Sequence, residues 1–266
     1  MTKVTVIISY YKAIDNLKMI LKALNKQSVS SFEVIVSEDD CNKDTIDYFE
    51  KNRDLYSFSL IHIYQKEDSG FRKNAMLNRA ILKANFSLLV FIDGDCIPHK
   101  HLVKEYIRNA EKGFFLSGRA VMMTESLSKE IVKKQSLSRM NFISIFFTKS
   151  KRKKEGFYFP FFPLSLKSRG LVGRNWGAFK DDLLAINGFD SDYVFAGVGE
   201  DVDVEWRLME NGIGRKSLKN KAIVFHVFHE KVYSEVNVKK NYGLFYSKKK
   251  LNNIRCLKGI ETISNS

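Results

Sequence analysis

Leu88-Leu89-Val90-Phe91-Ile92-Asp93-Gly94-Asp95-Cys96-Ile97-Pro98 decides the fold. Five large apolar residues in a row predict a strand buried on both faces. The run stops at two carboxylates separated by one glycine. In open α/β sheets ligands bind at the carboxyl ends of the strands, so these acids are expected at a binding rim. Two such close carboxylates repel unless one stays protonated or a cation lies between them. A hard divalent ion with oxygen ligands suits the pair, and such an ion commonly also holds substrate phosphates. Gly94 is expected to let the backbone approach a ligand closely. The plain structural alternative is an acidic turn after a strand.

Working outward, strands and helices alternate. Val4–Ser9, Phe32–Ser37 and Ser59–Tyr64 read as further strands. Between them, Ile14, Leu17, Leu21 and Leu24 fall at helical spacing, and a second helix is expected over residues 44–52. Gly70-Phe71-Arg72-Lys73-Asn74 opens a helix reaching about Ala84. This spacing predicts parallel βαβ units with right-handed crossovers. The pattern changes near Ser128. Residues 129–169 hold eleven Lys or Arg against two Glu, and they include the run Phe157-Tyr158-Phe159-Pro160-Phe161-Phe162-Pro163. An irregular excursion outside the sheet is expected there. Order returns at Gly173-Arg174-Asn175-Trp176. Gly197-Val198-Gly199 then leads into Glu200-Asp201-Val202-Asp203 and a helix ending at Asn211-Gly212. Ala222–Phe225 is a late strand, followed by His226 and His229. The basic tail from Lys231 is expected to be partly helical and frayed at its end.

The composition sets bounds. A chain of 266 residues with 44% hydrophobic content suits a globular core without staples. Cys41, Cys96 and Cys256 are odd in number and widely spaced, which argues against a disulfide framework and for a reducing compartment. No leader and no membrane span are expected from the pattern. The net charge of +14 favours an anionic partner: nucleic acid, an acidic membrane face or a phosphorylated substrate.

Together these motifs resemble the family 2 glycosyltransferases of the GT-A fold. The resemblance covers roughly residues 3–110 and 172–230. Val4–Ile8 is similar to the family's opening strand, with Ser9 where a proline is usual. Phe32–Asp40 is similar to the nucleotide-binding strand with its acidic pair, followed by Asp40-Cys41 where Gly-Ser is frequent. Ser69–Ala75 resembles the Gly-Phe-Arg helix start of a subset of these enzymes. Asp93-Gly94-Asp95 matches the Asp-x-Asp metal motif. Asn187–Asp190 with Gly199–Asp203 resembles the acceptor-side segment of β-galactosyltransferases and chondroitin-polymerase-like enzymes. Phe225–His229 resembles the late histidine of the metal shell.

The resemblance implies a Rossmann-like, mostly parallel sheet flanked by helices. One catalytic domain is expected over residues 1–230. It would comprise a nucleotide-sugar half (1–110), a basic aromatic insertion (120–170) and an acceptor and metal half (171–230), with a basic extension over 231–266. The implied reaction is inverting transfer from a UDP-sugar to a saccharide or lipid-linked saccharide. Donor contacts are expected from Ser9, Tyr10, Glu38, Asp39, Arg72, Asp93, Gly94 and Asp95, with Tyr11 beside the base. Mn²⁺, or Mg²⁺, would be held by Asp95 and by His226, with His229 as the alternative and Asp93 as a further contact. Imidazole beside carboxylate favours Mn²⁺. Asp201 is expected as the base and Glu200 as an acceptor contact, while Asp203 is expected to face another side of the helix. Trp176 is expected to cover an acceptor sugar, with core packing as its alternative.

The basic segment reads either as a solvated loop or as a contact to an anionic membrane surface. The second reading fits a cytoplasmic enzyme of capsule, O-antigen or lipopolysaccharide synthesis on the inner membrane face. Nucleic acid is the rival for the same charge, but no nucleic-acid motif accompanies it. Two further functions share this kind of α/β core: a non-catalytic nucleotide-sugar module and a sugar-nucleotide nucleotidyltransferase. Against the nucleotidyltransferase, the chain has no Gly-rich, cationic loop after its first strand.

Overall fold

The structure, a computed structural model, describes residues 2–162, 170–197, 200–230 and 233–264; the side chains of Glu200 and Ser264 fall outside that description. The first half alternates as expected: β1 (Val4–Tyr10), α1 (Ile14–Leu24), β2 (Phe32–Glu38), α2 (Lys43–Asn52), β3 (Ser59–Ile63), α3 (Lys73–Lys83) and β4 (Leu88–Asp93). Then come β5 (Cys96–Pro98), α4 (Leu102–Asn109), β6 (Phe114–Ser117), β7 (Arg119–Met122), α5 (Glu125–Lys134) and α6 (Phe142–Phe146). The remainder is β8 (Asn175–Phe179), α7 (Lys180–Ala185), α8 (Glu200–Glu210), β9 (Gly214–Ser217), β10 (Ile223–His226), α9 (Glu235–Lys250) and α10 (Ile260–Ser264).

Among the described residues the strands form a seven-stranded sheet, β3-β2-β1-β4-β8-β6-β9, and a three-stranded sheet, β5-β10-β7. β1 to β4 are mutually parallel, and β8 runs antiparallel to β4. The apolar run Leu88–Ile92 therefore lies in mid-sheet, buried on both faces. Each such side chain contributes roughly 1.5–3 kcal/mol on burial.

Strand side chains alternate between faces, and this parity organises the core. In β1, β2 and β4 the even-numbered Ile8, Val36 and Ile92 enter a core shared with α1, α4 and α5. The odd-numbered Ile7, Ile35 and Phe91 enter a second core shared with α3 and α8. Ser9 and Asp93 are odd and pair across β1 and β4, so they emerge on the α3/α8 side. Tyr10 and Glu38 are even and paired across β1 and β2, so they turn the other way.

Helix starts follow local chemistry. Asn42 caps α2 by accepting from the backbone N–H groups of Asp44 (2.9 Å) and Thr45 (3.3 Å). Thr124 caps α5, and Ser234 caps α9.

The segment expected as an irregular excursion is partly ordered. α5 buries Leu127 and Ile131 in the main core, and α6 buries Ile145. Lys151 bridges Met122 of β7 through two backbone hydrogen bonds. The lysines between those apolar positions mask the helical period in the sequence. Pro163 and the residues to 169 lie outside the described residues, as do Val198 and Gly199.

The tail also joins the body. Lys248 of α9 donates to Asp190 Oδ2 (2.5 Å) and Asp192 Oδ2 (2.6 Å). Asn187 Nδ2 donates to the Cys256 carbonyl at 2.7 Å, and Ile260 enters the second core. The expected frayed end falls on residues 265–266, outside the described residues. No helix among the described residues is long and apolar enough to cross a membrane.

Candidate active site

The site forms where β4 ends. The chain leaves the strand at Asp93, turns at Gly94 and Asp95, and enters β5. Gly94 N–H donates to the Ser9 carbonyl at 2.6 Å. A Cβ on Gly94 would sit 2.9 Å from that oxygen and 3.2 Å from the Tyr10 Cα. The backbone of β1 thus leaves no room for a side chain at position 94.

Asp95 is the convergence point. Its Oδ2 lies 3.0 Å from His229 Nε2 and 3.3 Å from His226 Nε2. β10 pairs His226 directly with Cys96, which brings the late strand beside the Asp-x-Asp turn. The sequence posed His226 and His229 as alternatives, whereas both rings meet the same carboxylate oxygen. His229 Nδ1 lies 2.7 Å from the Glu230 carbonyl. An N–H there fixes the tautomer and leaves Nε2 with a lone pair for a metal.

The electrostatics follow from the same contacts. Burial works to raise the Asp95 pKa, but the His229 hydrogen bond and the charge of His226 outweigh it and hold the carboxyl below its ordinary value. The hydrogen bond to Asp95 raises His229 to about 9, against burial. Burial lowers His226, and Asp95 offsets only part of that. Burial pushes the Cys96 thiol far up, so without a cation beside it the thiol stays protonated.

A divalent cation fits these residues. Ligand atoms of Asp95, Cys96 and His226 lie within 4.8 Å of one another, and His229 adds a second imidazole. One carboxylate and two imidazoles form an oxygen and nitrogen donor set suited to Mn²⁺.

Asp93 takes a different partner, accepting from Lys73 Nζ of α3 at 3.0 Å. Ser9, Lys73, Asp93, Gly173 and Asp201 line one small cavity, which joins the candidate base to the β4 terminus. Asp201 stands at the start of α8. Its Oδ2 accepts from Gly173 N–H at 3.2 Å, and its Oδ1 from Val202 N–H at 2.9 Å. These two donors orient the carboxylate toward the loop before β8. The Glu200 side chain lies outside the described residues.

Asp39 sits beyond β2 at the start of α3. Its carboxylate accepts from Gln65 Nε2 (3.0 Å) and from the Arg72 backbone N–H (2.8 Å). Burial raises its pKa, against both of those hydrogen bonds. Arg72 itself donates Nη2 to the Glu67 carbonyl at 2.6 Å, stiffening the loop that precedes α3.

Three expected contacts are corrected. Glu38 is fully buried, and its Oε2 meets His62 Nε2 at 2.7 Å; strand parity turns it inward, away from any nucleotide-sugar. Tyr10 is buried by the same parity, with its hydroxyl 3.0 Å from Thr45 Oγ1. The exposed Tyr11, hydrogen-bonded to Asp68, takes its place at the rim. Trp176 is 1% exposed, stacks on Phe91 at 4.5 Å and meets Phe189 edge-on. It pairs with Phe91 across β4 and β8 and only edges the cavity that Asp93 and Asp201 line.

The segment Asn187–Asp190 is a structural clamp. Asn78 Nδ2 donates to the Phe189 carbonyl and its Oδ1 accepts from Phe189 N–H. Asp203, as expected, faces away from the cleft. It pairs with Arg207 one helical turn on, and Arg207 donates to the carbonyls of Ile186 and Gly188.

Sequence reasoning missed Arg174 and Lys73. Arg174 lines an open cleft of about 680 Å³ with Lys149, Lys151, His226 and His229. Among the described residues its guanidinium hydrogen-bonds only to the Met122 sulfur, and its buried Nε makes no hydrogen bond. Its charge works to lower both imidazoles. The signal was its place directly after Gly173, at the entry to β8.

Solved structures share this fold. A mannosyltransferase from Pyrobaculum calidifontis, solved with GDP-Man and Mn²⁺, matches 92% of the chain at TM-score 0.62 and 15% identity. S. aureus TarS residues 1–349 with UDP matches 93% at TM-score 0.64 and 17% identity. GalNAc-T7 with UDP, GalNAc and Mn²⁺ matches 92% at TM-score 0.63 and 12% identity. The chain spans 63%, 65% and 47% of those structures, so the likeness is one of fold, the GT-A fold. No curated protein matches the sequence. The family model for glycosyl transferase family 2 matches residues 5–172, well over half of the chain, and the protein belongs to that family.

Proposed function

We propose that the protein is an inverting, metal-dependent glycosyltransferase that moves a hexose or N-acetylhexosamine from a UDP-sugar to a hydroxyl of a saccharide or lipid-linked saccharide. Its setting would be cell-surface polysaccharide synthesis at the cytoplasmic face of an anionic membrane. The observation that carries the reading is the meeting of His226 and His229 on Asp95, beside the cavity that Asp93 shares with Asp201. Family membership and the nucleotide-sugar complexes of the structural neighbours support it.

In this reading Asp95, His226 and His229 hold Mn²⁺, which when bound neutralises charge on the donor diphosphate. Asp39 accepts from the uracil, with Tyr11 at its rim. Asp93 accepts from the ribose, and Lys73 orients that carboxylate. Asp201 takes the proton of the acceptor hydroxyl as its oxygen attacks the anomeric carbon. The bond from that carbon to the phosphate oxygen breaks, and UDP leaves with the electron pair. Arg174 faces the charge that develops on the leaving phosphate. Attack opposite the leaving group inverts the anomeric centre. Glu200 is proposed as an acceptor contact on its position beside Asp201.

The test is a thermal-shift series with UDP, GDP, CDP and dTDP, each with Mn²⁺ and with EDTA, followed by UDP release from a panel of UDP-sugars. UDP at 100 times its dissociation constant stabilises a fold by about 2.7 kcal/mol, a readable shift. A UDP shift that requires Mn²⁺, with UDP release from at least one donor, is the expected result. Equal shifts for all four nucleotides, or none, would overturn the reading.

A further inference from the structure

We infer that residues 142–162 form a docking surface for an anionic lipid bilayer, and that this surface adjoins the cleft of the candidate metal site. Docking itself stands on the surface alone; only its use for a lipid-linked acceptor rests on the function proposed above.

The first observation is contiguity. Phe142 contacts Phe146 (5.6 Å between ring centres) and Phe157 (5.2 Å). Phe146 contacts Phe147 at 5.7 Å, and Phe157 contacts Phe159 at 6.1 Å. Phe159 in turn contacts Phe161 (5.3 Å) and Phe162 (4.9 Å). Seven phenylalanines from two stretches of chain, 142–147 and 157–162, thus make one continuous apolar surface. It is exposed rather than buried: Phe147 is 83% accessible, Phe161 76%, Ile143 70% and Phe162 60%. A contiguous apolar surface of this kind marks an interaction site.

The second observation is charge. Residues 142–162 carry Lys149, Lys151, Arg152, Lys153 and Lys154 against a single acid, Glu155. Glu155 is buried and turned toward Arg119, so it does not offset the surface charge. Lys153 lies over the Phe146 ring at 5.3 Å, which puts cation and aromatic in one patch. Aromatic rings at the level of lipid headgroups, flanked by cations on phosphates, are the physical requirements of an interfacial anchor. A protein partner of matching shape would not need the excess charge, and nucleic acid would leave Ile143, Phe147 and Phe161 in water.

The third observation is location. Lys149 and Lys151 line the cleft with His226 and His229, and the backbone of Lys151 is bridged to Met122. A bilayer docked on the phenylalanines therefore lies beside the mouth of that cleft. An acceptor phosphate at the membrane surface would meet Lys149 and Lys151 as it enters.

The test uses the intact protein and sedimentation with vesicles of phosphatidylglycerol and phosphatidylcholine, against phosphatidylcholine alone. Two double variants are compared, Phe147→Ser with Phe161→Ser, and Arg152→Glu with Lys154→Glu. Binding to the anionic vesicles that salt weakens, and that each pair lowers about tenfold or more, is the expected result. Unchanged melting temperatures and an unchanged Mn²⁺-dependent UDP shift show that the variants still fold. Equal binding to neutral vesicles, or no loss in either variant, overturns the inference. So does a dimer in sedimentation velocity that the phenylalanine pair disperses, which would assign the patch to a second copy. A missing UDP shift with vesicle binding intact would remove the transferase reading and leave the docking surface standing.

Discussion

His229 holds its Nε2 3.0 Å from Asp95 Oδ2, and that contact raises the imidazole to about 9. The proton on this ring competes directly with a metal for the same lone pair. In the metal-free protein the raised pKa stabilises the fold fully below the ordinary value of 6.5, and the contribution is lost as pH rises through about 9. A melting series in EDTA across that window should show a decline for the parent that flattens in His229→Ala. Mn²⁺ affinity should climb over the same window. A metal affinity that stays level with pH would remove His229 from the shell.

Asp201→Asn keeps the shape of the side chain, and its one amide oxygen can still accept from one of the two backbone donors, Gly173 or Val202. Turnover should fall by about 10²–10⁴-fold, the usual worth of a positioned base. The Mn²⁺-dependent UDP shift should remain. Asp95→Ala should instead abolish the shift itself. The pair of variants separates proton transfer from donor binding, and normal turnover in Asp201→Asn would refute the assignment.

Trp176→Ala should act on stability and not on acceptor affinity. Its ring is stacked on Phe91 and sealed by Phe189. Emptying such a site typically costs about 3–5 kcal/mol. Chemical denaturation should show that loss, while the acceptor KM of the remaining folded protein stays near the parent value. A raised KM with unchanged stability would return the ring to the acceptor.

What the sequence revealed and concealed follows one physical line. The apolar runs of β1, β2 and β4 are visible because strands buried on both faces leave continuous hydrophobic stretches. Asp93 and Asp95 are visible because they interrupt such a run. The direction of a side chain at a strand end is written in its parity, as Tyr10 and Glu38 illustrate. Both share the parity of Ile8 and Val36, which sends them into the core with Thr45 and His62. Counting alternation along the strand would have separated them from Ser9. Other features depend on chain folding that no local pattern carries. The convergence of His226 and His229 on Asp95 needs β10 to pair with β5, and the clamp at Asn187 needs the tail to return to Cys256.

Asp203 and Asp201 are two residues apart and are predicted to behave differently. Asp203 Oδ2 accepts from Arg207 Nε at 2.7 Å in a fully buried pair, and that guanidinium also holds two carbonyls of the Asn187 turn. Asp203→Ala leaves a buried cation without its partner, at a cost of about 3–5 kcal/mol. Urea unfolding should report a lowered midpoint at unchanged slope. At low temperature, where the variant stays folded, turnover should be close to that of the parent.

Arg174→Met is the sharpest test of the leaving-group assignment. Methionine retains an apolar stem and removes the charge together with the Nη1 contact to the Met122 sulfur. The guanidinium meets no carboxylate among the described residues, so its loss breaks no ion pair there. Stability should therefore change little. Turnover should fall by on the order of 10²–10³-fold, the size of effect seen when one donor to a developing anion is removed. The two imidazoles should also titrate higher, since the Arg174 charge works to lower both. Proton resonances of His226 and His229 in the metal-free protein read that rise directly. A drop in turnover without any movement of the histidine titrations would place Arg174 away from the metal shell and assign its effect to the acceptor side of the cleft.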